Sequence, residues 1–135
     1  MIEPRNGLVL RYGYLWARQY DRGEESGRKD RPACVQIIVS RAEAGTIVAL
    51  FPITSQAPSD AGSALEIPET EARRIGLALP AWIIVDEWNL DNLATSAHIG
   101  DIRPLGIFSA AFMRRVRKAG SARIRARRYR SIPRR

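Results

Sequence analysis

Two short stretches of this chain carry side chains suited to work on an oxyanion. The first is Gly27-Arg28-Lys29-Asp30-Arg31-Pro32-Ala33-Cys34-Val35-Gln36-Ile37-Ile38. A charged, glycine-marked loop ends in an Arg-Pro pair, and an apolar, β-branched run follows at once. That order predicts Arg31 at the mouth of a buried strand. A planar guanidinium there can offer two N–H groups to two oxygens of one phosphate. Arg28 and Lys29 either add electrostatic attraction for the same anion or simply solvate the loop. The second stretch is Thr46-Ile47-Val48-Ala49-Leu50-Phe51-Pro52-Ile53-Thr54-Ser55. Pro52 lacks an N–H, so the strand ladder should stop or bulge there. Thr54 and Ser55 then leave regular pairing at the same end of a hairpin as Arg31, each with a hydroxyl for a phosphate oxygen.

The elements that must position these residues follow from periodicity and punctuation. Gly7 to Trp16 reads as a first strand, with Gly13 marking a bulge or bend. Ala17 to Asp30 is polar and of both charge signs, which predicts a mobile surface loop. Ala33 to Ser40 is nearly continuous in apolar residues, so a strand buried on both faces is expected. Glu43-Ala44-Gly45 should turn it into the hairpin strand Thr46 to Ile53. Ala64 to Ile67 is a short strand. Pro68, the acids Glu69 and Glu71, then Arg73, Arg74 and Gly76 bracket a short helix from Glu69 to Ile75. Trp82 to Trp88 reads as a strand, and His98 to Arg103 as a last short one. Ser109 is a candidate N-cap for a C-terminal helix with the apolar stripe Phe108, Phe112, Val116 and Ala119. Gly120-Ser121 is expected to end or kink that helix, and Arg123 to Arg135 to be helical only with a partner.

These elements predict one domain over residues 1–135, of mainly β class with helices (α+β). The expected architecture is an SH3-like small β-barrel with one short helix and a C-terminal helix covering its open side. A length of 135 residues suits one domain. The net charge is +8, and its placement is uneven. Eleven Lys+Arg and no acid lie between Ser109 and Arg135, while the rest of the chain holds 11 basic and 14 acidic residues. A basic helix and tail over 109–135 points either to a polyanion partner or to a solvated face.

With one cysteine and one histidine, a zinc site on those ligands is excluded, and so is an intrachain disulfide. Cys34, inside an apolar strand, reads as a packed thiol rather than a nucleophile. Neither a signal peptide nor a run of about 20 apolar residues is present, so a cytoplasmic protein with no membrane contact is expected.

At this point the sequence resembles a family. Tyr14-Leu15-Trp16, the block Lys29 to Pro32, Pro52-Ile53-Thr54, Glu66-Ile67-Pro68 and the strand into Asp86-Glu87-Trp88-Asn89 are similar to MazF/PemK-like toxins, over most of the chain. The resemblance implies an SH3-like barrel that forms a homodimer. It implies a metal-independent endoribonuclease (mRNA interferase), with no cofactor, that cuts single-stranded RNA. It also implies a type II toxin–antitoxin system, in which a cognate acidic antitoxin wraps the toxin. Arg31 and Thr54 match the family's catalytic candidates. The first loop has no histidine before Arg31, and Asp86-Glu87-Trp88-Asn89 has acids but no arginine, where some family members have both.

Metal-free RNA cleavage uses the neighbouring 2′-OH as nucleophile. Arg31 suits stabilisation of the phosphorane's charge, with Thr54 or Ser55 bonding a phosphate oxygen or orienting the 2′-OH. Asp86 or Glu87, if raised in pKa, could be the base. His98 is the remaining acid–base candidate, although a lone histidine near a strand end is more often structural. Trp16 and Trp82 read as core, whereas Trp88, at a polar strand end, is the best placed to stack on a base. Two rivals remain: a non-catalytic module of the same ancestry that binds nucleic acid or protein, and a ribosome-associated or DNA-binding accessory protein working through its basic tail.

Overall fold

The computed structural model describes residues 2–27, 29–41 and 45–135. Arg28 and the turn residues Glu43 and Ala44 lie outside the described residues. Eight strands and three α-helices follow in the order β1 (Leu8–Tyr12), α1 (Ala17–Asp21), β2 (Arg31–Arg41), β3 (Gly45–Thr54), β4 (Ala64–Glu66), α2 (Glu69–Ile75), β5 (Trp82–Ile84), β6 (Glu87–Asn92), β7 (Gly106–Ile107), α3 (Ala110–Arg125) and β8 (Arg130–Pro133). One 3-10 turn, Ala61–Ser63, precedes β4. This is the mainly β fold with helices expected above: a curled, largely antiparallel sheet forming a half-barrel.

The curl has a local cause. The sheet runs β4-β5-β3-β2-β1-β7, with β6 also on β3 and β8 on β6. On one edge, β3 pairs first with β6 through Ile47–Leu50 and then with β5 through Ile53–Thr54. Phe51 and Pro52 fall between the two partners. Pro52 has no N–H to give an edge ladder, so the strand changes partner there instead of stopping. It remains paired with Ala33 on its other edge. The strand expected over Trp82–Trp88 is accordingly two strands, broken at Val85-Asp86.

Two cores sandwich the sheet. On one face, Phe112, Met113 and Val116 of α3 and Ala72 and Ile75 of α2 pack on Val9, Cys34, Phe51 and Ile83. On the other, Leu10, Tyr12, Val35, Val48 and Leu50 meet Tyr14 and Leu93. Ala33 to Val35 are therefore buried on both faces, as expected. Further along, β2 leaves the core, and Ile38 and Val39 are exposed.

Several expectations are corrected. The segment read as a loop after Trp16 begins with α1, because Glu87 of β6 accepts the Ala17 N–H at 3.0 Å and anchors the first turn. His98 to Arg103 is no strand; only Ile99 bridges to Tyr12, and the strand lies later, at β7. Ser109 caps α3, its hydroxyl accepting from Phe112 N at 3.1 Å. The helix runs through Gly120, which is buried against the sheet, so packing overrides a glycine cost of about 1 kcal/mol. The largest difference is at the tail. Arg130–Pro133 is not a conditional helix but a strand, parallel to β6, with Ile132 buried.

Candidate functional site

Antiparallel pairing sets Ala33 opposite Pro52 and so carries Arg31 to the level of Thr54. Both open into a cleft of about 800 Å³. Lys29 and Ser55 line it as well, so four of the residues singled out from sequence meet there. Arg18 of α1 and Asp30 join them, and Trp16, Pro58, Leu77 and Ala78 form apolar walls.

Arg31 is the centre of this cleft. Its guanidinium lies 4.8 Å from the centre of the Trp16 ring, and Arg18 sits 5.1 Å from the same ring. Among the described residues no carboxylate pairs with Arg31; its causes of pKa shift are burial first, then Arg18, and both lower the value. Its Nε is buried without a hydrogen-bond partner. An unpaired donor of this kind costs free energy when buried, which makes the site receptive to an anion. Thr54 keeps its hydroxyl at the end of β3, where Oγ1 accepts from Gln56 N at 3.2 Å. Its Cα partner across the sheet is Trp82.

Trp16 is held from behind. The Tyr14 ring meets it edge-on at 4.9 Å, and the Tyr14 hydroxyl donates to Glu87 Oε1 at 2.9 Å. Asn89 brackets Leu15, accepting from its N–H at 2.9 Å and donating to its carbonyl at 2.8 Å. Arg134 of the tail donates to the Gly13 carbonyl at 2.7 Å and to Asn89 Oδ1 at 2.9 Å. The wall under Arg31 is thus fixed by β6 and by the last strand.

The remaining candidates sit elsewhere. Glu87 is outside the cleft; burial raises its pKa, and its bonds from Ala17 N and Tyr14 hold the rise in check. Asp86 is also raised, chiefly by burial, and lies 3.6 Å from Arg123. Its surroundings are α3, not the cleft. His98 lies within 2.9 Å of the Arg135 carbonyl through Nε2 and meets Tyr12 edge-on. Trp88 is buried, stacked on Tyr129 at 5.3 Å and tilted against Phe51, so it is a core residue rather than an open stacking platform. Cys34 is fully buried beside the Met113 sulfur, and burial pushes its thiol up.

Asp30, which the sequence offers only as a possible ion-pair partner for Arg31, also lines the cleft. Among the described residues no other acid lines the cleft, and the Asp30 oxygens pack against Gly13 and Gly100; a Cβ on Gly100 would collide with them. The two glycines were the available signal, but only folding brings them to Asp30. Compared with protein-family models and with curated proteins, the chain matches none.

Proposed function

We propose that the protein is a metal-independent endoribonuclease of the MazF/PemK-like kind, acting as the toxin of a toxin–antitoxin pair. One observation carries this reading: Arg31, without a carboxylate partner and with a buried Nε unbonded, stands level with Thr54 in a cleft rimmed by Arg18 and Lys29. The reading has single-stranded RNA enter the cleft with a phosphate against Arg31. The 2′-OH attacks the adjacent phosphorus, the O2′–P bond forms and the P–O5′ bond breaks. Arg31 bonds the two non-bridging oxygens as negative charge grows on them. Thr54 orients the 2′-OH, and its proton passes to water at the open rim of the cleft. The leaving 5′-oxygen takes a proton from solvent at the open rim. A cyclic phosphate and a 5′-hydroxyl result. The same cationic rim suits an acidic antitoxin segment, and the resemblance adds a homodimer, which light scattering tests.

The position of Asp86, Glu87 and His98 outside the cleft favours the rival reading, a module that binds RNA without cutting it. Purified protein incubated with single-stranded RNA and EDTA separates the two. Chelator-resistant cleavage, reduced about 10²–10³-fold in Arg31→Ala, supports the nuclease. Arg31→Lys should lose nearly as much, because a point charge lacks the guanidinium fork. RNA bound but intact, or cleaved equally by both proteins, overturns the assignment.

A further inference from the structure

The fold sorts the basic charge of this chain. Of the eleven Lys+Arg after Ser109, four are tied into the molecule. Arg123 and Arg128 donate to Asp60 at 2.9 and 3.2 Å, Arg130 donates to Asp21 at 2.7 Å, and Arg134 is buried. A second set faces outward from α3. Arg114, Arg117, Lys118, Ser121 and Arg125 are all exposed. Their spacing of three, four and seven residues places them along one helix face. The opposite face buries Phe112, Met113, Val116 and Gly120. At 1.5 Å per residue the cationic stripe is about 16 Å long. Among the described residues no carboxylate pairs with any of its four cations.

The end of the helix adds an independent sign. Arg127 has φ +56°, the left-handed region. Its N–H bonds the Ile124 carbonyl at 3.0 Å, and the next N–H, of Arg128, reaches back to Arg123 at 2.9 Å. This is the helix ending that glycine fills at the least cost. An exposed arginine occupies it instead, and adds one more cation at the end of the same helix.

We propose that the outer face of α3 docks the phosphate backbone of RNA, independently of the catalytic cleft. One exposed apolar side chain, Ile124, borders the stripe beside Arg117 and Ser121, and no aromatic lies on it. An acidic peptide on a helix face draws much of its affinity from apolar anchors. A polynucleotide needs only cations, because release of its counterions supplies the free energy. Four of the five cations are arginines, whose forked donors suit phosphate. With no aromatic on the stripe to stack on a base, the contact runs through the phosphates and carries no sequence preference. The surface itself recognises phosphate; the choice of RNA rests on the reading of the cleft.

The test uses the full chain and a short labelled oligouridine with 2′-O-methyl groups, which cannot be cut through the 2′-OH. Binding is followed by fluorescence anisotropy from about 50 to 200 mM salt. The triple variant R117Q/K118Q/R125Q keeps helix propensity and removes three cations. Its log–log salt slope should flatten by about 2, at roughly 0.7 per single-strand phosphate contact, with affinity at low salt falling by about tenfold or more. The charge-conserving R117K/R125K should keep the wild-type slope. Arg127→Gly should melt higher and bind more weakly. A triple variant with unchanged circular dichroism, slope and affinity overturns the docking face. Competition by polyglutamate equal to that by RNA at matched charge also overturns it, in favour of an acidic protein partner. An inactive cleft leaves these binding results intact, so the two readings fail separately.

Discussion

Arg134→Ala tests how far the last strand holds the candidate site together. Arg134, one residue beyond β8, is only 9% exposed. It donates to Gly13 O at 2.7 Å and to Asn89 Oδ1 at 2.9 Å, and its guanidinium lies 5.5 Å from the centre of the Tyr12 ring. Tyr12 in turn donates to Asp91 at 2.6 Å, and Ser96 bonds the same carboxylate oxygen at 2.6 Å. Truncation removes two charge-assisted hydrogen bonds, each worth about 1.5–3 kcal/mol, and strips the cation from a buried acidic network. We expect a loss of about 3–5 kcal/mol, a large share of the roughly 5–15 kcal/mol of a native domain. At this chain length that corresponds to a melting temperature lower by about 10–20 °C. Urea titration and thermal melts of the full chain give both numbers. Arg125→Ala, on the exposed face of α3, should stay within about 0.5 kcal/mol of wild type. A loss below about 1 kcal/mol for Arg134→Ala would refute the insertion of the tail beside β6.

Two further outcomes follow from the structure. Burial raises the Glu87 pKa above the ordinary 4.5, so the folded state binds this proton more tightly than the unfolded chain. Its contribution therefore favours folding at low pH and is lost as pH rises from about 4.5 through the raised value. Glu87→Gln keeps an acceptor for Ala17 N and Tyr14 and removes the titration, so its stability relative to wild type should improve between acidic and neutral pH. A gap that is flat with pH, or of the opposite slope, sinks this account. Gly106→Ala should cost about 2–3 kcal/mol, because its Cβ would strike the Arg74 carbonyl and stand 3.0 Å from Ile75 Cα, and the backbone of α2 cannot rotate aside. Gly23→Ala, also at positive φ but with nothing within 4 Å, should cost only about 1 kcal/mol of backbone strain. Equal losses in a urea titration would show that β7 and α2 are not in close approach.

The legible parts of this protein were those whose causes lie within a few residues. Helix α2 has its bounds written into Pro68, the flanking acids and bases, and Gly76, which takes φ +64° at the C-cap. Ser109 is a cap three residues from the N–H it accepts. The neighbourhood of Arg31 and Thr54 was legible for a similar reason, since a hairpin's register follows from its turn and its apolar alternation. What was misread depended on partners far along the chain. Helix α1 is five residues long and owes its first turn to Glu87. Trp88 looked like an open ring beside polar residues until Tyr129 and Phe51 covered it.

By itself the sequence determined a β-rich barrel class, a hairpin end carrying an arginine and a hydroxyl, and a surplus of positive charge after Asp101. Each of these is a property of composition or of short-range periodicity. The tertiary structure alone decided which cations are consumed and which are displayed. Arg123, Arg128, Arg130 and Arg134 found acids or carbonyls contributed by the loop around Asp60, α1, β6 and Gly13, while among the described residues no acid pairs with Arg114, Arg117 or Arg125 of α3. It also decided that Asp86, Glu87 and His98 lie outside the cleft, while Asp30 is among the residues that line it. The physical reason is the same in each case. A buried charge persists only where distant segments bring its partner, and no local pattern encodes a partner dozens of residues away.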